Sequence, residues 1–294
     1  MRISSIWNLL KETFREWQAD KVPLWAAALA YYTAFSLAPL LVIAIAIASA
    51  VFGQEAAQGE IVGQIQGLVG KQGAEAIQSM LQNTQQPGSG GIVATVVGIG
   101  ALLLGASGVF GQLQEALNEI WHVKPKPGRG FKFLIQNRFM SFAMVLVIGF
   151  LLLVSLLLSA GLAALSTLIG HLFPGFLFAG QLLNFLLSFG VMILLFALIY
   201  KVMPDVKVPW KYIWTGAIVT ALLFNIGKFF IGLYLGSGSV SSTYSAAASL
   251  GIILLWVYYS AQILLFGAEF VKVYAQSYAP HRIKPIEDAV LTEE

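Results

Sequence analysis

The chain has 294 residues, 58% of them hydrophobic and 11% charged, with a net charge of +3 and no cysteine. Soluble domains carry about 25% charged residues, whereas here 22–54, 76–114 and 139–200 hold no Asp, Glu, Lys or Arg. These features exclude a soluble fold, a disulfide frame and cysteine-based chemistry, and the small net charge calls for no nucleic-acid partner. They predict an all-α polytopic membrane protein, with one membrane domain over residues 1–279.

Residues 3–18 place Ile3, Ile6, Trp7, Leu10, Phe14 and Trp17 on one helical stripe, and Lys11, Glu12, Arg15 and Glu16 opposite. That pattern predicts an N-terminal amphipathic helix lying in the membrane interface. Asp20 and Pro23 suit the start of the next helix. This is span 1, about 25–51, a charge-free run longer than the roughly 20 apolar residues a bilayer needs. It begins too late and is too long for a cleaved signal peptide. Within it, Tyr32, Ser36 and Pro39 share one face, with Thr33 beside them. Pro39 has no N–H, so the Phe35 carbonyl is freed and must find a partner in protein or trapped water. The face is expected to point into a helix bundle. Ser36 lies about 16 Å along the helix from Trp25, near the depth where transporter sites sit at interrupted helices.

Residues 53–90 predict an outer segment of one or two short amphipathic helices, from Ile61, Ile65, Leu68 and then Ile77, Met80, Leu81. GSGG at 88–91 precedes span 2, about 92–110, whose small residues allow close helix approach. GASGVFG at 105–111 has the spacing of a dinucleotide fingerprint, but it lacks the preceding strand and the following acid. Residues 111–121 continue the helix and carry Glu115 and Glu119. A basic loop (122–138), span 3 (139–165), a turn (171–175), span 4 (181–200) and a second basic loop (201–211) follow. Span 5 (212–235), a Gly/Ser connection (236–249), span 6 (250–274) and a polar, mobile cytoplasmic tail (280–294) complete the chain. No repeat is visible, although six spans would permit an inverted one. Lys and Arg collect before span 1 and in the 2–3 and 4–5 loops. The 53–90 segment has only Lys71, and the 3–4 and 5–6 connections have none. The positive-inside rule then puts both termini in the cytoplasm.

Four stretches resemble a known family: AAALAYYTAFSLAPLL (26–41), GVFGQLQEALNEIWHV (108–123), PDVKVPWKYIWTGAIVTALLFNIGKFFIGLY (204–234) and STYSAAASLGIILLWVYYSAQILLFGAEF (242–270). Together they are similar to the YihY/BrkB family of bacterial inner-membrane proteins, in the same order and across nearly the whole chain. The resemblance implies six transmembrane helices in the plasma membrane. It implies no settled activity: the family has carried ribonuclease and virulence labels, and a transport or export role is commonly supposed.

Chemistry-bearing residues are sparse. His122, His171 and His281 are expected on both sides of the membrane, which argues against a histidine metal cluster. Gly70-Lys71 lacks the flanking residues of a phosphate-binding loop. No cofactor, metal or catalytic group is expected, and the chain does not read as an enzyme. Lys228 and Glu269 fall inside spans, and ionisable residues in such places are functional candidates by default. Lys228 lies about 24 Å into span 5, where it either snorkels outward or lines a vestibule for an anionic or polar solute. Glu269 is expected to pair with Lys201, Lys211 or Arg138, in a cytoplasmic charge layer that Glu115 and Glu119 either join or leave as a solvated helix face. Two functions fit. One is a transporter or exporter of a small solute, along a path lined by Tyr32, Thr33, Ser36, Pro39 and Lys228. The other is a structural or regulatory membrane protein that positions lipids or partners. Both need the lipid bilayer, and both leave oligomeric state open.

Overall fold

Every backbone N–H and C=O in a bilayer must be bonded within the protein, which favours helices for apolar runs. Helices dominate the computed structural model, which describes residues 6–53, 108–126, 175–236, 245–278, 283–286 and 289–292, with isolated residues between 58 and 78. In chain order these are α1 (Ile6–Ala19), α2 (Val22–Phe52), α3 (described residues 108–120), β1 (Val123–Pro125), α4 (Gly175–Val202) and β2 (Val206–Lys207). Then come α5 (Trp210–Gly236), α6 (Ser245–Tyr278), β3 (Lys284–Pro285) and β4 (Ala289–Leu291).

Among the described residues, three stretches are long and apolar enough to cross a membrane: Leu182–Val202, Trp210–Ile231 and Gly251–Tyr278. They fall where spans 4, 5 and 6 are expected. Only 17%, 33% and 33% of their apolar windows is buried inside the protein, so most of that surface faces outward. Such a surface suits lipid and is unfavourable in water. Helix α2 includes a shorter apolar stretch, Val22–Leu37, and its 31 residues reach about 46 Å. Helix α6 begins at Ser245, earlier than the expected 250, because Ala246, Ala247 and Ala248 are strong helix formers. Span 2 before residue 108, span 3, the basic loop beyond Lys126 and most of 53–90 lie outside the described residues. The isolated residues at 58–59, 62–63, 66, 74 and 78 are helical.

Helix α6 is the centre of the packing. Helices α2, α5 and α1 lie against it, and α4 packs on α5. Leu117 and Ile120 of α3, Ile213 of α5, Leu265 and Val271 of α6, and Val22 and Ala26 of α2 form one buried core. Gly216, Gly227 and Gly267 set the α5–α6 approach among the described residues. A Cβ at Gly216 would collide with Val271, and one at Gly267 with the Tyr200 and Thr220 hydroxyls. Small residues at helix crossings in lipid permit this closeness. The polar atoms there are satisfied: Tyr200 Oη donates to the Leu264 carbonyl at 2.8 Å, and Thr220 Oγ1 donates to the Gly216 carbonyl at 2.8 Å.

Helix α1 docks on α6 through Leu9, which clusters with Phe270 and Val273. Trp17 Nε1 donates to Gln262 Oε1 at 3.1 Å. Ile6, Trp7, Leu10 and Phe14 remain exposed, so the expected apolar stripe is presented to the surroundings.

The start of α2, the ends of α1, α3, α4 and α6, and the start of α5 meet at one end of the bundle. Two antiparallel ladders close it, with Val123 opposite Leu291 in β1–β4 and Val206 opposite Pro285 in β2–β3. The Thr292 amide donates to the His122 carbonyl at 2.8 Å, and the Ile286 amide donates to the Asp205 carbonyl at 3.1 Å. The tail, expected to be mobile, is thus paired over its described residues. Its backbone groups find partners on two connections that lie far away in sequence.

Candidate functional site

A charge cluster lies at this closed end, centred on Lys272 of α6, whose side chain is 3% exposed. Its ammonium donates to Asp20 Oδ2 at 2.7 Å and pairs with Glu16 Oε2 at 2.9 Å. Glu269, one turn back on α6 and fully buried, has Oε2 3.5 Å from the same nitrogen. His122 Nε2 is 3.2 Å from the ammonium, and 3.2 and 3.3 Å from the two Asp20 oxygens.

Local backbone geometry builds the site. Helix α1 ends where the Asp20 amide donates to the Glu16 carbonyl, and Lys21 turns the chain with φ 53 and ψ 37. Asp20 therefore does not cap α2. The N-cap is Lys21, which makes no side-chain cap bond, and the Asp20 carboxylate is left for Lys272. Helix α3 ends similarly, with the His122 amide donating to the Glu119 carbonyl and His122 at φ 51. Both are non-glycine residues in the left-handed region, which disfavours side chains by about 1–2 kcal/mol each. Among the described residues no other non-glycine adopts positive φ. Strain of this kind gathers where surrounding structure dictates a side-chain position.

Electrostatics follow from the geometry. Burial pushes the Asp20 carboxyl up. The hydrogen bond from Lys272, the neighbouring Glu269 carboxyl and the charge of Lys272 outweigh that effect and hold it below the ordinary carboxylate range. Glu16, Asp20 and His122 bring ligand-type atoms within 4.8 Å of one another, but the Lys272 ammonium, at 2.7 Å from Asp20, 2.9 Å from Glu16 and 3.2 Å from His122, takes the place of a cation among them.

The residues singled out by sequence are dispersed. Glu269 belongs to the cluster, and its cationic neighbour is Lys272 rather than Lys201 or Lys211, while Arg138, the other expected partner, lies outside the described residues. Lys201 instead donates to the Val208 carbonyl at 2.8 Å and lies 5.6 Å from the Trp210 ring centroid. Glu115 and Glu119 are on the exposed side of α3 and form no ion pair among the described residues. Asn118, between them, turns inward: its Nδ2 donates to Asp205 Oδ2 at 2.9 Å, and its Oδ1 accepts from the Asp205 amide at 2.8 Å. On α2, Ser36 is buried at 2% exposure, Thr33 is partly buried and Tyr32 is 43% exposed. Tyr32 and Ser36 both face Gly108 at the start of α3, so that polar face does meet a second helix. Pro39 lies within α2, and Lys228 is exposed on α5. Asp20, His122 and Lys272 escape the sequence reading. The usable signal is two ionisable residues at i and i+3, Glu269 and Lys272, inside an apolar helix.

An apolar cavity of about 900 Å³ opens between α1, α5 and α6, with Leu10, Phe14, Leu222, Phe266 and Tyr278 among its walls and none of the cluster residues.

Apolar helices of membrane length, closed at one end by a buried ionic cluster and two short ladders, define an integral helical membrane protein. The family model described as Virulence factor BrkB matches residues 13–290, and the chain belongs to that family. It is 30% identical over 268 residues to a UPF0761 membrane protein of Verminephrobacter eiseniae (strain EF01-2), covering 89% of this chain and 61% of the relative. It is 30% identical over 272 residues to a UPF0761 membrane protein of Pseudomonas aeruginosa (strain LESB58), covering 86% and 59%. A UPF0761 membrane protein of Pseudoalteromonas translucida (strain TAC 125) is 28% identical over 264 residues, covering 85% and 80%. The chain thus spans about three-fifths of the first two relatives. No solved structure matches it.

Proposed function

We propose that this chain is a six-span inner-membrane protein, with both termini cytoplasmic, that moves a small polar or anionic solute and catalyses no covalent reaction. One observation carries the reading: Glu269 and Lys272 are buried together on a helix of membrane length. Ionisable groups in such a place are costly, and they tend to mark ion and solute pathways. Glu16 and Asp20 bind the same ammonium from α1 and the turn before α2. The cluster therefore ties α6 to the helix bearing Tyr32, Thr33 and Ser36. A change at the cluster can move that polar face relative to α3.

The cavity and the exposed stripe of α1 favour a second reading, in which the protein positions lipids or a partner without transport. Accumulation of labelled solutes in reconstituted vesicles, with and without the protein, separates the two. Under the transport reading, the Tyr32→Phe, Ser36→Ala double variant accumulates normally in the membrane. Its flux falls about tenfold or more, equivalent to roughly 1.4 kcal/mol of lost transition-state stabilisation. Normal protein level with undiminished flux would remove this face from the path. Absence of flux for every solute class would favour the positioning role.

A further inference from the structure

Lys272 offers three N–H donors, but four groups compete for them. Asp20 at 2.7 Å and Glu16 at 2.9 Å hold the near positions, His122 Nε2 is at 3.2 Å, and Glu269 is farthest at 3.5 Å. His122 Nε2 cannot accept from Lys272 and donate to Asp20 at once, so a proton there changes which contacts can form. Glu269 is the group left over. Its side chain is 0% exposed, and neither carboxyl oxygen has a hydrogen-bond partner among the described residues. An ionised carboxylate only accepts hydrogen bonds, so here it would lie buried with no donor in bonding geometry. The charge balance points the same way. Glu16 comes from α1, Asp20 from the α1–α2 turn, His122 from the end of α3 and Lys272 from α6 itself. Among the described residues, α4 and α5 bring the neutral Tyr200 and Thr220 hydroxyls against Gly267. Three carboxyls face one ammonium, and a buried excess of negative charge is relieved when one of them binds a proton.

We propose that Glu269 is a proton-binding site, holding one exchangeable proton inside the bundle, with Asp20 and His122 as its route to water. His122 suits the outer end of that route, since its side chain is 42% exposed while that of Asp20 is 9% exposed. On release, the Glu269 carboxyl turns to donate to the neighbouring Asp20 carboxylate, and the proton passes to Asp20 and then to Nε2 of a neutral His122 protonated on Nδ1. The Nδ1 proton leaves to water. The ring ends neutral, and the net change is one proton lost from the Glu269 carboxyl and one gained by water. The newly ionised Glu269 then competes with Asp20 and Glu16 for the Lys272 ammonium. Proton occupancy thus sets how firmly α1 and the start of α2 are held to α6. The inference goes beyond the transport reading and does not depend on it, because the proton can be observed with no solute present.

Infrared spectroscopy of the full-length protein in lipid nanodiscs tests it. At neutral pH the wild type should show a protonated-carboxyl C=O band that shifts in D2O and is missing from Glu269→Gln. Superimposable spectra in that region would overturn the proposal. Glutamine copies the shape of the protonated acid, so Glu269→Gln should fold and unfold at the wild-type temperature. A Glu269→Gln protein that fails to fold, while Glu269→Asp remains stable, would show that a carboxylate is required and would also overturn it. His122→Phe should keep the band but slow its exchange with D2O by about tenfold or more, the scale of a lost proton-transfer group. Unchanged exchange would remove His122 from the route.

Discussion

Asp20 and Lys272 are 252 residues apart in sequence and 2.7 Å apart in space. Sequence marks Asp20 as a helix-start residue, yet the left-handed Lys21 takes the cap position and frees the carboxylate for another helix. No local pattern encodes that choice, because it depends on where α6 docks. His122 is similarly lost among three scattered histidines until α3 ends beside Asp20. The depressed Asp20 value has a definite consequence for stability. An unfolded Asp titrates near 3.9. Asp20 therefore stabilises the fold fully above that pH, and its contribution is lost as the pH falls through the lower folded value. Melting curves of the purified protein should weaken as the pH drops below about 4. Asp20→Asn should lack this component and should be about 1–3 kcal/mol less stable at neutral pH, the usual cost of stranding a buried partner. Identical acid limbs for the two proteins would contradict the assignment.

Helices were the legible elements. Long apolar runs with few charges locate the stretches now seen in α2, α4, α5 and α6, because spanning lipid demands length and apolarity that composition alone reveals. The four short strands were not legible, since two or three residues carry no usable period. Their pairing turns a tail read as mobile into part of the closed end. The α5–α6 crossing also depends on backbone approach, which side-chain patterning does not show. Gly267→Ala should cost about 1–3 kcal/mol, because its methyl must displace the Thr220 and Tyr200 hydroxyls. Gly190→Ala on α4 meets nothing within 4 Å and should be neutral or gain up to about 1 kcal/mol of helix propensity. Thermal unfolding of both variants in one lipid composition checks the contrast. Equal effects would contradict the crossing geometry.

At the scale of the molecule, the N-terminal turn, the ends of α3 and α4 and the C-terminal strands form one connected end. We propose that this end is cytoplasmic, because the positive-inside rule would put the lysine- and arginine-rich loops there. The two lines of argument are independent, one resting on contacts and the other on loop charge. The proposed arrangement is therefore a buried ionic cluster at the cytoplasmic end of a six-span bundle, with 53–90 expected on the opposite side. The absence of cysteine makes this directly measurable. Single cysteines replacing Lys124, Lys207, Lys284 and Gln64 can be labelled with a membrane-impermeant thiol reagent in right-side-out and inside-out vesicles. The account predicts that the first three react only in inside-out vesicles, and Gln64→Cys only in right-side-out ones. Labelling of Gln64→Cys from the same side as the other three, or a split among those three, would contradict it.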